Sequence, residues 1–81
     1  MLELYQVEGC PNCQAVRETL SELGLDFVVR AVPVEHARRD RVREISGQTL
    51  VPVLVDTERH LVIHEPREIV AYLREHYTGK H

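Results

Sequence analysis

Both cysteines of the chain lie in one four-residue stretch, Cys10-Pro11-Asn12-Cys13, and its flanks determine what the rest can fold into. Before it, Leu2 to Val7 is rich in strand formers and ends at Glu8-Gly9. After it, Val16, Leu20 and Leu23 recur at helical spacing, and Gly24 supplies a stop. Proline suits a first helical position, because its φ is already helical and its missing N–H would lack a partner there. The spacing therefore predicts a strand–turn–helix junction with Cys10 at the helix N-terminus.

That position has chemical consequences. Unpaired N–H groups and the positive end of a helix favour thiolate over thiol. Cys10 is accordingly the expected nucleophile. Cys13, one turn into the helix, is expected to be more buried and placed to resolve a mixed disulfide formed on Cys10. Two other readings fit the same pair: an inert pair, or half of a zinc site completed by His60 and His64. Leu61-Val62-Ile63 between those histidines reads as a strand, and strand residues four apart lie roughly 13 Å from each other. No metal is expected on that ground.

At 81 residues the chain has room for one domain, 1–81, with a core that can fold without staples. A net charge of -3 argues against nucleic acid as the main partner. The charge is uneven: Arg30, Arg38, Arg39, Arg41 and Arg43 cluster mid-chain, while the first 29 residues carry five acids against Arg17 alone. The run from Arg38 to Arg43 reads as a solvated helix face. No stretch reaches the ~20 apolar residues of a membrane span. The N-terminus reads as a strand and not as a signal peptide. Two cysteines at this spacing fit a reducing cytoplasm, and a monomer is expected.

Leu25 to Val32 is nearly continuous in apolar and β-branched residues and reads as a buried central strand, parallel to the first. Pro33 ends it. Ala37 to Ile45 reads as a second helix with Val42 and Ile45 inward, closed by Ser46-Gly47. In Gln48 to Asp56, Pro52 interrupts an apolar run. Either an edge strand begins there, or a cis Val51-Pro52 bond bends the chain and presents the Val51 backbone to a ligand. Asp56 to His60 is a turn, and Leu61 to His64 returns as a hairpin strand. Glu65-Pro66 opens a last helix whose inward stripe is Ile69, Tyr72, Leu73 and Tyr77. Tyr5 and Tyr72 read as packing residues, the histidines as surface residues, and Thr78 to His81 as a frayed tail. The order is β-α-β-α-β-β-α, an α/β fold with a four-stranded mixed sheet flanked by helices.

With these elements in place, Cys10-Pro11-Asn12-Cys13 after strand one and Val51-Pro52 before strand three resemble the glutaredoxin family of the thioredoxin fold. Leu61 to Leu73, with Glu65 and Ile69-Val70-Ala71-Tyr72-Leu73, is also similar to the N-terminal domain of glutathione transferases. The resemblance implies a thiol–disulfide oxidoreductase acting on disulfide-containing protein substrates or glutathione-mixed disulfides. It implies that Pro52 is cis and lies against the nucleophilic cysteine, and Pro11 is counted with Val51, Pro52 and Glu65 among the ligand-binding residues. The Val51 backbone would hold the cysteinyl part of glutathione, and Glu65 and its neighbours the γ-glutamyl end. Glu8 and Gly9 stand where many relatives carry a lysine, Asn12 replaces a common tyrosine, and Thr49 replaces a basic residue. Leu50 replaces the usual threonine, and Pro66 replaces a serine that donates twice to the ligand. The expected reductant is therefore glutathione, another small thiol, or a flavoprotein reductase. A conjugating enzyme is not expected, since transferases need a helical second domain. An iron–sulfur or metal carrier and a non-catalytic glutathione-transferase-like module remain the alternatives; a cluster would need ligands from a dimer or added glutathione.

Overall fold

A computed structural model describes residues 1–77. The chain runs β1 (Leu2–Gln6), α1 (Pro11–Glu22), β2 (Val28–Ala31), a 3-10 turn (His36–Arg38), α2 (Asp40–Ser46), β3 (Val53–Asp56), β4 (Leu61–Ile63) and α3 (Pro66–Tyr77). The strands form one mixed sheet in the order β2-β1-β3-β4. β1 and β2 are parallel, joined by the α1 crossover; β3 runs antiparallel to both β1 and β4. The expected thioredoxin-like architecture is therefore present. The tail at Thr78 to His81 lies outside the described residues.

Alternation along β1 divides the core between the two faces of the sheet. Leu2 and Leu4 face α1 and α3 and pack with Val16, Leu20, Leu54, Ile69 and Leu73. Tyr5 faces the other way and packs with Val42 of α2 and Val53. α1 and α3 each bury one stripe, Val16 and Leu20 from one and Ile69, Tyr72 and Leu73 from the other. Asp56, at the end of β3, is buried beneath α3, where its Oδ2 accepts the hydroxyls of Tyr72 and Tyr77, each at 2.6 Å. Tyr72 is thus a packing residue, as expected, and also a hydrogen-bond donor.

Several expectations need correction. β2 is not a buried central strand: it is four residues long, lies at the sheet edge, and leaves Val29 49% exposed. The apolar run is used at its two ends. Leu25 and Phe27 pack under the helices before the strand begins, and Val32 packs toward α2 after it ends. The second helix is also shorter than Ala37 to Ile45. The 3-10 turn stops at Arg39, whose ψ of 56° is not helical, and α2 starts at Asp40. Arg38, Arg41 and Arg43 do lie on a solvated surface, each near an acid three residues away. Arg39 is buried. Gly47 closes α2 at φ 77°, a left-handed conformation that a side chain would strain. Finally, the Val51-Pro52 bond is cis, and β3 lies between β1 and β4, so the edge-strand account of Pro52 fails.

Candidate active site

The site begins where β1 ends. The chain turns at Gly9, whose φ is 80°, and Cys10 takes an extended conformation as the N-cap of α1, with Pro11 in the first turn. An N-cap side chain normally offers an oxygen to the first free N–H groups. Here the sulfur takes that role: Cys13 N–H donates to Cys10 Sγ at 3.2 Å. The sulfur thus sits at the positive end of the helix, among its free N–H groups. Cys10 is partly accessible, whereas Cys13 is fully buried, and both are free thiols.

Burial pushes the Cys13 thiol up to about 11, reinforced by a hydrogen bond with Cys10 and opposed by the Val7 backbone and the Arg17 charge. Cys13 is therefore a protonated thiol at neutral pH, directly behind the accessible sulfur. A disulfide formed on Cys10 would meet it within one helical turn. Arg17, four residues on from Cys13, donates to Gln6 Oε1, and Gln6 Nε2 donates to Glu8 Oε2 at 3.2 Å. This string of side chains under the thiols was not singled out by sequence reasoning. The one available signal was the spacing of Arg17 from Cys13, which places both on one helical face.

Sheet register gathers the other candidates. Tyr5 pairs with Val53 and Leu54 with Ile63, while β2 runs parallel to β1. Hence the β1 exit, the β3 entry through Val51-Pro52 and the β4 exit at Glu65 all lie at one end of the sheet. Pro52 is buried, Val51 half-buried, and Pro11 and Glu65 exposed. Glu65 contributes its carbonyl to α3, accepting Ile69 N–H at 2.9 Å. The first turns of α1 and α3 flank an open groove of about 360 Å³, lined by Asn12, Ala15, Pro66, Arg67, Val70 and Ala71. Its walls are apolar apart from Asn12 and the one cation, Arg67. A larger hollow of about 570 Å³ lies between β2 and α2, but none of Cys10, Cys13, Val51, Pro52 or Glu65 lines it. His60 and His64 flank the extended β4. Among the described residues, no group of three or more His, Cys, Asp or Glu side chains is gathered as a metal site.

A sheet of this order, with an N-cap cysteine and a cis proline at the same end of it, defines a thioredoxin-fold domain. The family model for the glutathione S-transferase N-terminal domain matches residues 4–81. An uncharacterized glutaredoxin-like 8.6 kDa protein of the rubredoxin operon of Clostridium pasteurianum is 33% identical over 54 residues, 67% of this chain and 72% of that protein. Glutaredoxin 3 of Escherichia coli is 30% identical over 60 residues, 74% of this chain and 72% of its own length. Among solved structures, glutathione transferase E6 from Drosophila melanogaster superposes with a TM-score of 0.86 at 30% identity, covering 98% of this chain. An epsilon-class glutathione S-transferase from the housefly Musca domestica gives 0.85 at 28% identity, again over 98% of the chain. The chain spans 36% of the length of each transferase. The chain belongs to the thioredoxin-fold family that unites the N-terminal domains of glutathione S-transferases with the glutaredoxins.

Proposed function

We propose that the protein is a small thiol–disulfide oxidoreductase working through Cys10 and Cys13. The observation that carries this reading is the accessible Cys10 sulfur at the helix N-terminus, bonded by Cys13 N–H, with a buried second thiol behind it. Cys10 thiolate attacks one sulfur of a substrate disulfide, forming a mixed disulfide and releasing the other sulfur as a thiolate. Cys13 then loses its proton and attacks Cys10 Sγ. The second substrate thiol leaves, and a Cys10–Cys13 disulfide remains. Two equivalents of glutathione or another small thiol, or a flavoprotein reductase, return the pair to dithiol. The substrates are protein disulfides and glutathione-mixed disulfides in a reducing cytoplasm. Val51, Pro52, Pro11 and Glu65 would line the approach of the substrate, and Arg67 would meet a carboxylate there.

A second reading follows from the transferase-like match and the apolar groove beside Asn12 and Pro66: a module that binds a thiol ligand without turnover. A metal-carrier reading would require ligands from outside the described residues. Turnover separates the readings. We expect the reduced protein to catalyse glutathione-dependent reduction of a glutathione-mixed disulfide, followed by coupled NADPH consumption. Tight glutathione binding with no turnover above background would favour the binding module.

A further inference from the structure

Arg39 occupies the break between the 3-10 turn and α2 and is only 5% exposed. A buried charge is stable only where its hydrogen-bonding capacity is met. Each of its three nitrogens reaches a backbone carbonyl: Nε donates to Pro33 O at 2.8 Å, Nη1 to Thr49 O at 2.9 Å and Nη2 to Val34 O at 3.0 Å. Pro33 and Val34 belong to the loop leaving β2. Thr49 belongs to the loop that enters β3 through Val51-Pro52. One guanidinium thus ties together two loops at the end of the sheet that carries Cys10.

Gln48 holds the next residue along. Its Oε1 accepts Leu50 N–H at 2.8 Å, and its Nε2 donates to Leu50 O at 3.1 Å and to Ser46 Oγ at 2.8 Å. The Thr49 carbonyl and both backbone polar groups of Leu50 are therefore occupied. Val51 comes next, and among the described residues neither its N–H nor its C=O has a hydrogen-bond partner. The clamp stops one residue short of a free backbone edge beside the cis proline.

We propose that Arg39 is a positioning residue: by pinning Pro33, Val34 and Thr49 it fixes the Val51 backbone for pairing with the peptide portion of a thiol or disulfide ligand. The assignment rests on the oxidoreductase reading for its substrate class, disulfides that carry a peptide backbone. It acts on substrate docking and leaves the sulfur chemistry of Cys10 and Cys13 alone.

Two substrates separate docking from chemistry. Oxidised glutathione carries a peptide backbone, and 2-hydroxyethyl disulfide carries none. Followed as the single-turnover oxidation of pre-reduced Cys10–Cys13 protein, with no glutathione added as reductant, Arg39→Met is expected to raise the half-saturating concentration (KM) of oxidised glutathione about tenfold, with the maximal rate within about twofold, and to leave the rate on 2-hydroxyethyl disulfide unchanged. Arg39→Lys is expected to recover part of the loss, because an ammonium lacks the planar fork that reaches three carbonyls. Gln48→Ala acts on the same corner from the surface and should move KM in the same direction by a smaller factor, even if Arg39→Met does not fold. Equal losses on both substrates, or an unchanged KM in folded Arg39→Lys and Gln48→Ala proteins, would overturn the assignment. An NMR titration with S-methylglutathione, which cannot react, reads docking without turnover and should weaken in parallel. Arg39-dependent binding by a chain that reduces neither disulfide would reject the oxidoreductase reading and keep the clamp. Reduction of 2-hydroxyethyl disulfide with S-methylglutathione binding insensitive to Arg39 and Gln48 would do the reverse. A parent chain that shows neither would reject both.

Discussion

Cys10→Ser is expected to lower disulfide reduction by about a thousandfold or more, with little change in stability. A serine hydroxyl is not ionised at neutral pH and cannot form a disulfide, so the first covalent step is lost rather than slowed. The fold should tolerate the change. Cys10 is an N-cap, and a serine oxygen serves that role at least as well as sulfur, accepting from the same Cys13 N–H that Cys10 Sγ accepts now. A circular dichroism melt matching the parent, beside an inactive enzyme in the coupled assay, is the expected pair of results. Retention of most of the activity would reject Cys10 as nucleophile.

Asp56→Ala is expected to do the opposite: a stability loss of about 3 kcal/mol or more with the thiol chemistry intact. The carboxylate is 1% exposed and accepts two tyrosine hydroxyls at 2.6 Å, and hydrogen bonds to a charged group contribute about 1.5–3 kcal/mol each. Truncation would also leave the hydroxyls of Tyr72 and Tyr77 without their acceptor, at the C-terminal half of α3. Asp56 pairs with Leu2, at the opposite end of β1 from the exit to Cys10, which separates the two effects in space. Burial pushes the Asp56 carboxyl up, but the two hydroxyls and the Arg59 and Glu58 backbone groups outweigh it, so it is held below the ordinary carboxylate value. A carboxyl lowered on folding contributes stability that is present above its unfolded pKa and lost as pH falls through the folded one. Burial and the Asp56 carboxylate raise the tyrosines, Tyr77 to about 12 and Tyr72 further. Their contribution is present below their unfolded value of 10.0 and is lost as pH rises through the folded values. Urea denaturation of parent and Asp56→Asn from pH 7 downward should show a shallower acid loss in the variant. Stability of Asp56→Ala within about 0.5 kcal/mol of the parent would contradict this account.

These two residues show what a sequence discloses and what it conceals. Cys10 announces its position locally: a strand before it, Pro11 after it, and helical spacing from Val16 onward, so the junction and the accessible-over-buried order of the thiols can be read directly. The cis bond at Val51-Pro52 has no such local signature, and it was the resemblance that pointed to it. Asp56 reads as a turn residue, because its burial depends on Tyr72 and Tyr77 arriving from α3, far along the chain. Arg39 is harder still. In the run Arg38 to Arg43 nothing local distinguishes it from its neighbours; the break in the helix turns it inward, and its partners are backbone carbonyls that carry no side-chain pattern. β2 misleads for a related reason. An apolar stretch records how much surface is buried, and Leu25, Phe27 and Val32 bury theirs beyond the strand.

The ordering of the two sulfurs, Cys10 first and Cys13 second, is tested most directly by trapping the intermediate. Cys13→Ser protein treated with oxidised glutathione should accumulate one mixed disulfide, and intact-mass and peptide analysis should place it on Cys10. Cys10→Ser protein should stay unmodified under the same conditions, since Cys13 is buried and protonated. Failure of Cys13→Ser to form the adduct, or formation of the same adduct on Cys13 at a comparable rate, would contradict the assignment.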